Sequence, residues 1–178
     1  MTQEIYQEAI KFAGEKHKNQ KVPGTDSNYL LHLANVAMEV LFACKQKDDF
    51  DINYALQLAL LHDTLEDTET EFIELEETFG KKVALGVQAL TKNDSLTSKK
   101  ERMIDSLKRI NALEKEVGTV KLADRITNLQ KPPKHWKKDK IRNYQKEAKL
   151  IGKMLGTKNL YLNKRLETKI AEYKKYTE

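Results

Sequence analysis

The chain contains 178 residues, of which 39% are hydrophobic and 33% charged, and this composition predicts a single folded domain over residues 1–178. No stretch approaches the roughly 18 consecutive apolar residues of a membrane helix, and Cys44 is the only cysteine, which excludes an internal disulfide and favours the reducing cytoplasm as its location. The formal net charge of +5 favours an anionic partner but does not indicate its size.

Apolar residues spaced three and four apart predict helices in the first part of the chain. The first helix is predicted over residues 3–18 and the second over residues 31–44, with Leu41 among the residues that face inward. Between them, residues 19–28 combine Pro, Gly, Asp, Ser and Asn, and this composition predicts a loop. An acidic turn is expected at residues 47–51.

The third predicted helix carries the segment ALQLALLHDTLED. Because apolar residues cover almost its whole circumference at positions 55–61, this helix is expected to lie buried at the centre of the fold. As one continuous helix it would place residues four apart on shared faces, pairing His62 with Glu66 and Asp63 with Asp67.

The remaining predicted elements are also helices. Thr70 is predicted to cap the N-terminus of FIELEETFG, with Gly80 just after its end, and Gly118 is predicted to separate two later helices. Pro132-Pro133 ends the helical pattern before two basic amphipathic helices. The predicted ranges are 81–91, 98–112, 119–130, 138–155 and 159–176. The sequence therefore predicts an all-α bundle of roughly eight to ten helices.

The sharpest chemical feature is the pair His62-Asp63, which is followed by Glu66-Asp67. Burying such charges without compensation costs several kcal/mol each, and a cation is the simplest partner that offsets this cost. Histidine nitrogens together with carboxylate oxygens suit a borderline divalent ion such as Mn2+, Fe2+, Zn2+ or Co2+. Taken alone, the pair is more typical of a hydrogen-bonded core histidine beside carboxylates that face solvent.

Two further residues complete a candidate set of metal ligands from other helices. His32 lies at the start of a helix after a polar loop, and Asp124 lies in VKLADR, an otherwise apolar helical turn. An aspartate in that turn needs a charge partner, and Arg125 beside it points to a different face. The sequence therefore predicts a metal site formed by His32, His62, Asp63 and Asp124.

The order H…HD…D, with ALLHDTLEDT and VKLADRITNL, closely resembles the hydrolase domain of RelA/SpoT-type alarmone enzymes. The similarity extends over residues 9–173 and is greatest to the small alarmone hydrolases related to the metazoan SpoT homologue. The segments KFAGEKHKNQ and YLLHLANVA are similar to the family pattern A-x-x-x-H-x-x-Q…Y-x-x-H-P-x-x-VA. HD alone is a weak signal, but HDTLEDT with KLADR at this distance is specific.

The resemblance implies an enzyme that removes pyrophosphate from the 3′ oxygen of guanosine tetra- or pentaphosphate. It also implies that Mn2+ is held by the four residues of the predicted metal site. Glu66 and Asp67 would orient or deprotonate water, with Glu66 as the more direct participant and Asp67 in support. The candidate substrate-binding residues are Lys21, Asn128, Tyr144, Lys99 and Lys140.

Departures from the family pattern leave alternatives. Where the family loop usually has an arginine near the base, this chain has Lys21, and lysine lacks the planar stacking surface of arginine. One alternative is a phosphatase for NADPH or an adenine alarmone. Another is a basic helical protein that binds nucleic acid or alarmone without turnover. The leading prediction is a small-molecule nucleotide substrate without a nucleic-acid or membrane partner, and a structural role is expected for His17, which matches the family's first histidine.

Overall fold

The computed structural model describes residues 2–45 and 49–178, so the predicted turn at residues 47–51 lies partly outside the described residues. The described residues form ten α-helices and a short 3-10 helix, Lys174–Tyr176, with a single antiparallel bridge between Lys21 and Asn28. The predicted all-α fold is confirmed. The helices are α1 (Thr2–Lys16), α2 (Leu30–Cys44), α3 (Ile52–Leu61), α4 (Thr64–Asp67), α5 (Phe72–Phe79), α6 (Lys81–Leu90), α7 (Lys99–Ala112), α8 (Lys115–Asn128), α9 (Lys138–Leu155) and α10 (Leu160–Tyr173).

Two helices occupy the centre of the bundle. The apolar helix α3 packs against α1, α2, α6 and α8, which agrees with the central position predicted for it. Helix α8 packs against α2, α3, α9 and α10, and all of its residues from Glu116 to Thr127 are buried. Since α8 carries Lys121, Asp124 and Arg125, these charged groups need partners inside the protein.

The third helix is shorter than the sequence predicted. It ends at Leu61, and the chain turns at His62 and Asp63 before α4 begins at Thr64. Asp63 has φ −101° and ψ 0°, a backbone conformation outside the regular helix. The Thr64 hydroxyl donates to the Leu61 carbonyl at 2.7 Å, so a side chain supplies a hydrogen bond to a carbonyl at the end of α3. The motif therefore lies in a turn between helices and not on one helical face.

The predicted start of the fifth helix is wrong by one residue. Glu71 occupies the N-cap position of α5 without a side-chain hydrogen bond, so Thr70 is not the cap. The Thr70 hydroxyl instead pairs with the Thr68 hydroxyl at 2.7 Å. The other end agrees with the prediction, because Gly80 follows α5 with φ +84°, a conformation that favours glycine.

Gly118 lies inside a helix and does not separate two of them. Helix α8 begins at Lys115 and continues through Gly118 without interruption. A Cβ atom at this position would lie 2.6 Å from Cγ of Lys158 in the α9–α10 turn. The glycine therefore allows two segments to approach closely, a tertiary requirement that the helix-breaking tendency of glycine does not reveal.

The second helix exposes a residue that was predicted to face inward. Leu41 is 39% exposed, and it shares the outer face of α2 with Leu31, Met38 and Phe42. Because α2 is apolar on nearly all sides, its pattern did not distinguish the buried face from the exposed one. Among the described residues, no helix combines the length and apolar character needed to cross a bilayer.

Candidate metal centre and adjoining cleft

Four side chains from three parts of the fold converge on one point. His32 comes from the first turn of α2, His62 and Asp63 from the α3–α4 turn, and Asp124 from α8. His62 Nε2 lies 3.0 Å from Asp63 Oδ2 and 3.4 Å from His32 Nε2. His32 Nε2 lies 3.5 Å from Asp124 Oδ1 and 3.7 Å from Asp63 Oδ2. His32, His62 and Asp124 are buried, and Asp63 is partly exposed.

These separations suit a single divalent cation. Two ligand atoms that each lie about 2.1 Å from one ion are roughly 3 to 3.5 Å apart at right-angled or tetrahedral geometry. The donor atoms of His32, His62 and Asp124 all lie within 4.8 Å of one another, and Asp63 adds an oxygen at comparable distances from both histidines. The residues present therefore fit a metal ion bound by nitrogen and oxygen ligands.

Both histidines are oriented by a second hydrogen bond. His62 Nδ1 lies 2.9 Å from the Ala59 carbonyl, which can only accept, so Nδ1 carries a proton and Nε2 is the nitrogen that faces the centre. The Thr127 hydroxyl donates to the Asp124 carbonyl at 2.9 Å, and it lies 3.4 Å from His32 Nδ1. Such partners fix the tautomer and ring orientation of metal-binding histidines.

The carboxylates are oriented in the same way. The Tyr29 hydroxyl donates to Asp63 Oδ2 at 2.5 Å, and Lys121 Nζ donates to Asp124 Oδ2 at 2.9 Å. Asn128 Nδ2 donates to the other oxygen, Asp124 Oδ1, at 2.5 Å. The charge partner that the sequence demanded for Asp124 is therefore Lys121, one turn earlier on α8. Its spacing of three residues was the signal that could have identified it.

The centre carries more negative than positive fixed charge, because Lys121 is the charged partner of Asp124 while Asp63 adds a second carboxylate. Burial lowers the pKa of His62, but the Asp63 and Asp124 carboxylates outweigh this effect and raise it to about 9. Burial also lowers the pKa of Lys121, and Asp124 more than reverses that change. The arrangement thus favours an added positive charge at the point where the ligands meet.

The two predicted catalytic carboxylates lie on the short helix α4 but face different neighbours. Asp67 Oδ2 accepts a hydrogen bond of 2.9 Å from Gln20 Nε2, in the α1–α2 loop. Glu66 forms an ion pair with the Lys92 side chain, and its Oε2 accepts from the Lys92 backbone N–H at 3.2 Å. Each carboxylate is therefore held by a residue that is distant in sequence.

A cleft of about 280 Å³ adjoins the metal centre, with His32 in its lining. Aromatic rings form one part of the lining, where Trp136 and Tyr144 meet edge to face at a centroid distance of 5.2 Å. Amide and hydroxyl groups of Asn35, Thr127 and Asn128 form another part. The mixture of flat apolar rings and polar groups beside a metal centre suits a ligand that has both a planar ring and a polar, anionic portion.

The cleft includes some of the predicted substrate-binding residues and not others. Asn128 and Tyr144 belong to its lining, whereas Lys21, Lys99 and Lys140 do not. Lys21 is exposed and paired with Asp26 at 2.9 Å, Lys140 Nζ lies 4.1 Å from the centroid of the Trp136 ring, and Lys99 is exposed at the start of α7. Within the described residues, the lysine that lines the cleft is Lys131.

Arg125 connects α8, which carries the candidate ligand Asp124, with the aromatic part of the cleft. As expected, it faces away from Asp124: its guanidinium carbon lies 4.1 Å from the centroid of the Tyr144 ring. Its NH2 group lies 3.5 Å from Glu147 Oε2, one turn further along α9. Arg125 is only 5% exposed, so this stacking holds Tyr144 against a rigid, buried neighbour.

Residues 9–158 match the family model described as HD domain, and the chain belongs to the HD domain family. Among characterised relatives, guanosine-3′,5′-bis(diphosphate) 3′-pyrophosphohydrolase MESH1 of Danio rerio is 34% identical over 90% of this chain and 89% of that protein. The guanosine-3′,5′-bis(diphosphate) 3′-pyrophosphohydrolase of Aquifex aeolicus is 36% identical over 71% of this chain, but the match spans only 18% of that protein.

Solved structures agree with these relatives. One, described as a metazoan ortholog of SpoT that hydrolyzes ppGpp and plays a role in starvation responses, has a TM-score of 0.82 to this chain. It is 26% identical, and the match covers 94% of each chain. A second structure, from Listeria monocytogenes, is 22% identical with a TM-score of 0.61 and supports the fold alone. The resemblance inferred from the motifs is therefore confirmed.

Proposed function

We propose that the chain is a metal-dependent hydrolase of guanosine tetra- and pentaphosphate that releases pyrophosphate from the 3′ oxygen. The observation that carries this proposal is the convergence of four nitrogen and oxygen donors from His32, His62, Asp63 and Asp124 beside a cleft with aromatic and amide groups. The names of the two curated relatives and the described activity of the matching structure support the same reaction.

We propose Mn2+ as the ion, because two histidines and two carboxylates suit a borderline divalent metal. When bound, the ion would neutralise phosphoryl oxygens and lower the pKa of water so that a nucleophile exists near neutral pH. His32, His62, Asp63 and Asp124 would hold it. Their hydrogen-bond partners, above all Tyr29 and Lys121, keep the donor atoms in place before the metal binds.

The two carboxylates of α4 would handle the attacking water. Glu66 and Asp67 follow the ligand Asp63 by three and four residues, and the hydrogen bond between Asp67 N–H and the Asp63 carbonyl ties the two ends of this turn together. Water attacks the phosphorus of the 3′-diphosphate that is bonded to the 3′ oxygen. The bond between that phosphorus and the 3′ oxygen breaks, pyrophosphate leaves, and the 3′ oxygen takes up a proton. A carboxylate can accept the proton that the water loses.

The cleft would bind the nucleoside portion and the remaining phosphates. Asn128 donates to Asp124 and also lines the cleft, which supports its proposed role in contacting the ribose. The Tyr144 ring offers a flat surface for the base. Lys131 lies in the lining, while Lys21, Lys99 and Lys140 remain candidates that would have to move toward the phosphates. The substrate class is a small nucleotide, and a cytoplasmic location follows from that substrate.

One observation favours a second candidate, hydrolysis of an adenine alarmone or removal of a 2′- or 3′-phosphate from a nucleotide such as NADPH. The residue that replaces the family's arginine, Lys21, is paired with Asp26, so no arginine stacks on the base from this loop. The aromatic rings that remain, Trp136 and Tyr144, are tolerant of base identity, since every base has a flat face.

Product analysis with the Mn2+-loaded protein separates these candidates. In incubations with ppGpp, ppApp and NADPH, pyrophosphate should be released from ppGpp faster than from ppApp, and NADPH, whose 2′-phosphate can leave only as orthophosphate, should release little orthophosphate. Asp63→Ala should abolish metal binding and turnover together and leave the helical circular dichroism intact. Asp139→Ala is the matched control, because the Asp139 carboxylate is 90% exposed and pairs only with Arg142 among the contacts described. Absence of pyrophosphate release from ppGpp would contradict the proposal, and orthophosphate release from NADPH would support the second candidate.

The same samples test the binding-protein alternatives. A nucleic-acid-binding protein would show salt-sensitive DNA or RNA binding that survives Asp63→Ala. A protein that only senses alarmone would bind ppGpp tightly in Mn2+ and release no product. The proposed hydrolase function requires multiple turnovers per protein molecule, and either of these two results would contradict it.

A further inference from the structure

Gln20 lies in the α1–α2 loop, outside the HD motif, and connects this loop to the site. Three of the hydrogen bonds of Gln20 matter here: its Nε2 lies 2.9 Å from Asp67 Oδ2, its Oε1 lies 2.5 Å from His17 Nδ1, and its backbone carbonyl accepts from the Tyr29 N–H at 3.0 Å. Both the side chain and the backbone of Gln20 therefore connect to groups of the metal centre or beside it.

The orientation of the Gln20 amide follows from its partners. An ionised Asp67 carboxylate can only accept, so the amide nitrogen must face it and the amide oxygen must face His17. His17 Nδ1 consequently donates to Gln20. The His17 ring is 1% exposed and packs against Tyr29 at a centroid distance of 5.0 Å. Because the ring cannot swing away, it holds the amide with its N–H groups toward Asp67.

The backbone carbonyl of Gln20 is connected to Asp63 through Tyr29. This carbonyl binds Tyr29 N–H, and the Tyr29 hydroxyl donates to Asp63 Oδ2 at 2.5 Å. One loop residue thus reaches a predicted metal ligand through Tyr29 and a predicted catalytic carboxylate directly. The two connections are chemically separate, because replacing the Gln20 side chain removes the bond to Asp67 and keeps the backbone carbonyl.

We propose that Gln20 is a positioning residue that orients the Asp67 carboxylate for its work on the attacking water, and that His17 holds Gln20 in the required orientation. This inference rests on the proposed function. Asp67 ends a helix of only four residues, so its side chain has little packing to restrain it. A single amide donor fixes one carboxylate oxygen and leaves the other oxygen as an acceptor for water.

The kinetic test compares Gln20→Ala with Gln145→Ala. Gln145 is a matched control: it is also half-buried, and its Nε2 donates a single bond of 3.1 Å to the Ile170 carbonyl, away from the α4 carboxylates. Gln20→Ala should lower kcat for ppGpp roughly 10- to 100-fold, while KM and Mn2+ affinity stay within about threefold of the unmodified protein. Gln20→Glu, which keeps the volume and places a second carboxylate against Asp67, should lower kcat further.

Unfolding of the metal-free protein provides a readout that needs no activity. Gln20→Ala, Asp67→Ala and the double variant form a cycle. The sum of the two single losses in Tm should exceed the loss in the double variant, because both single variants remove the same contact. Additive losses, or a kcat for Gln20→Ala equal to that of Gln145→Ala, would overturn the positioning role. If the unmodified protein releases no pyrophosphate, the proposed function fails, and the cycle still decides whether Gln20 holds Asp67.

Discussion

The metal centre and the adjoining cleft are organised by different means. In the centre, each proposed ligand has a second protein partner that orients its side chain: Thr127 for His32, Ala59 for His62, Tyr29 for Asp63 and Lys121 for Asp124. The cleft has aromatic rings and amides along its lining and, among the described residues, a single lysine. The difference indicates that the chemistry is preorganised, while much of the substrate recognition depends on shape and stacking.

The largest effect should follow from removing a ligand oxygen. Asp124→Asn keeps the shape of the side chain but leaves Lys121 without its charged partner and replaces an anionic donor with a neutral one. Mn2+ affinity and ppGpp hydrolysis should both fall by more than the roughly 100-fold typical of changes to groups behind the ligands. Calorimetric metal titration and pyrophosphate release measure the two losses. Asp105→Asn, which breaks only an ion pair with Arg109 on α7, is the control, and equal behaviour of the two variants would contradict the metal assignment.

Removing a hydrogen-bond partner of a proposed ligand should have a smaller effect on Mn2+ affinity. Tyr29→Phe removes the hydroxyl that donates to Asp63 and should weaken Mn2+ binding about 10- to 100-fold. Tyr54→Phe loses a comparable hydroxyl, which donates to the Lys82 carbonyl at 3.3 Å, and should leave the affinity unchanged. If Tyr29→Phe binds Mn2+ as tightly as Tyr54→Phe, the preorganisation inferred for the centre is wrong.

A change in the cleft should affect substrate binding and spare the metal. Tyr144→Leu removes the ring that stacks on Arg125 and lines the cleft. Loss of one base–aromatic stack costs about 1–3 kcal/mol, so KM for ppGpp should rise at least about fivefold, with Mn2+ affinity unchanged. Tyr161→Leu, on an exposed ring of α10, serves as the control. A parallel loss of metal affinity in Tyr144→Leu would show that centre and cleft are not independent.

The smallest effect should come from a single lysine. Lys131→Ala should raise KM for ppGpp by up to about fivefold at low ionic strength, and the difference should shrink in added salt, because an exposed charge contributes little and is screened. Lys21→Ala should have less effect, since Lys21 is already paired with Asp26. A larger KM increase in Lys21→Ala than in Lys131→Ala would reassign the phosphate contact to the α1–α2 loop.

Several helix ranges and the family resemblance could be predicted from short stretches of the sequence. Helix α9 covers the predicted range, and α7 begins at Lys99, one residue after the predicted start, because Ser98 is its N-cap in a capping box with Glu101. The family resemblance was visible in short motifs. The turn at His62-Asp63 was missed because HDTLED has the local pattern of a helix, whereas α3 ends at Leu61.

Contacts between distant segments could not be predicted from local patterns. Lys121 was within reach of sequence reasoning, since it lies three residues before Asp124. The contacts of Gln20 with Asp67 and of Lys92 with Glu66 were not, because they join residues 47 and 26 positions apart in the chain. The predicted phosphate-binding lysines Lys21, Lys99 and Lys140 do not line the cleft. The long, flexible side chain of a lysine can contact a charge or ring that only the folded structure brings near it.

The most direct test of the account is the identity of the products formed from ppGpp by the Mn2+-loaded protein. Guanosine 3′,5′-bis(diphosphate) that loses its 3′-diphosphate leaves GDP, so chromatography should show GDP and pyrophosphate in equal amounts over many turnovers. Release of orthophosphate in place of pyrophosphate, or no product at full metal occupancy, would contradict the claim that the ligands of this centre support 3′-pyrophosphohydrolysis.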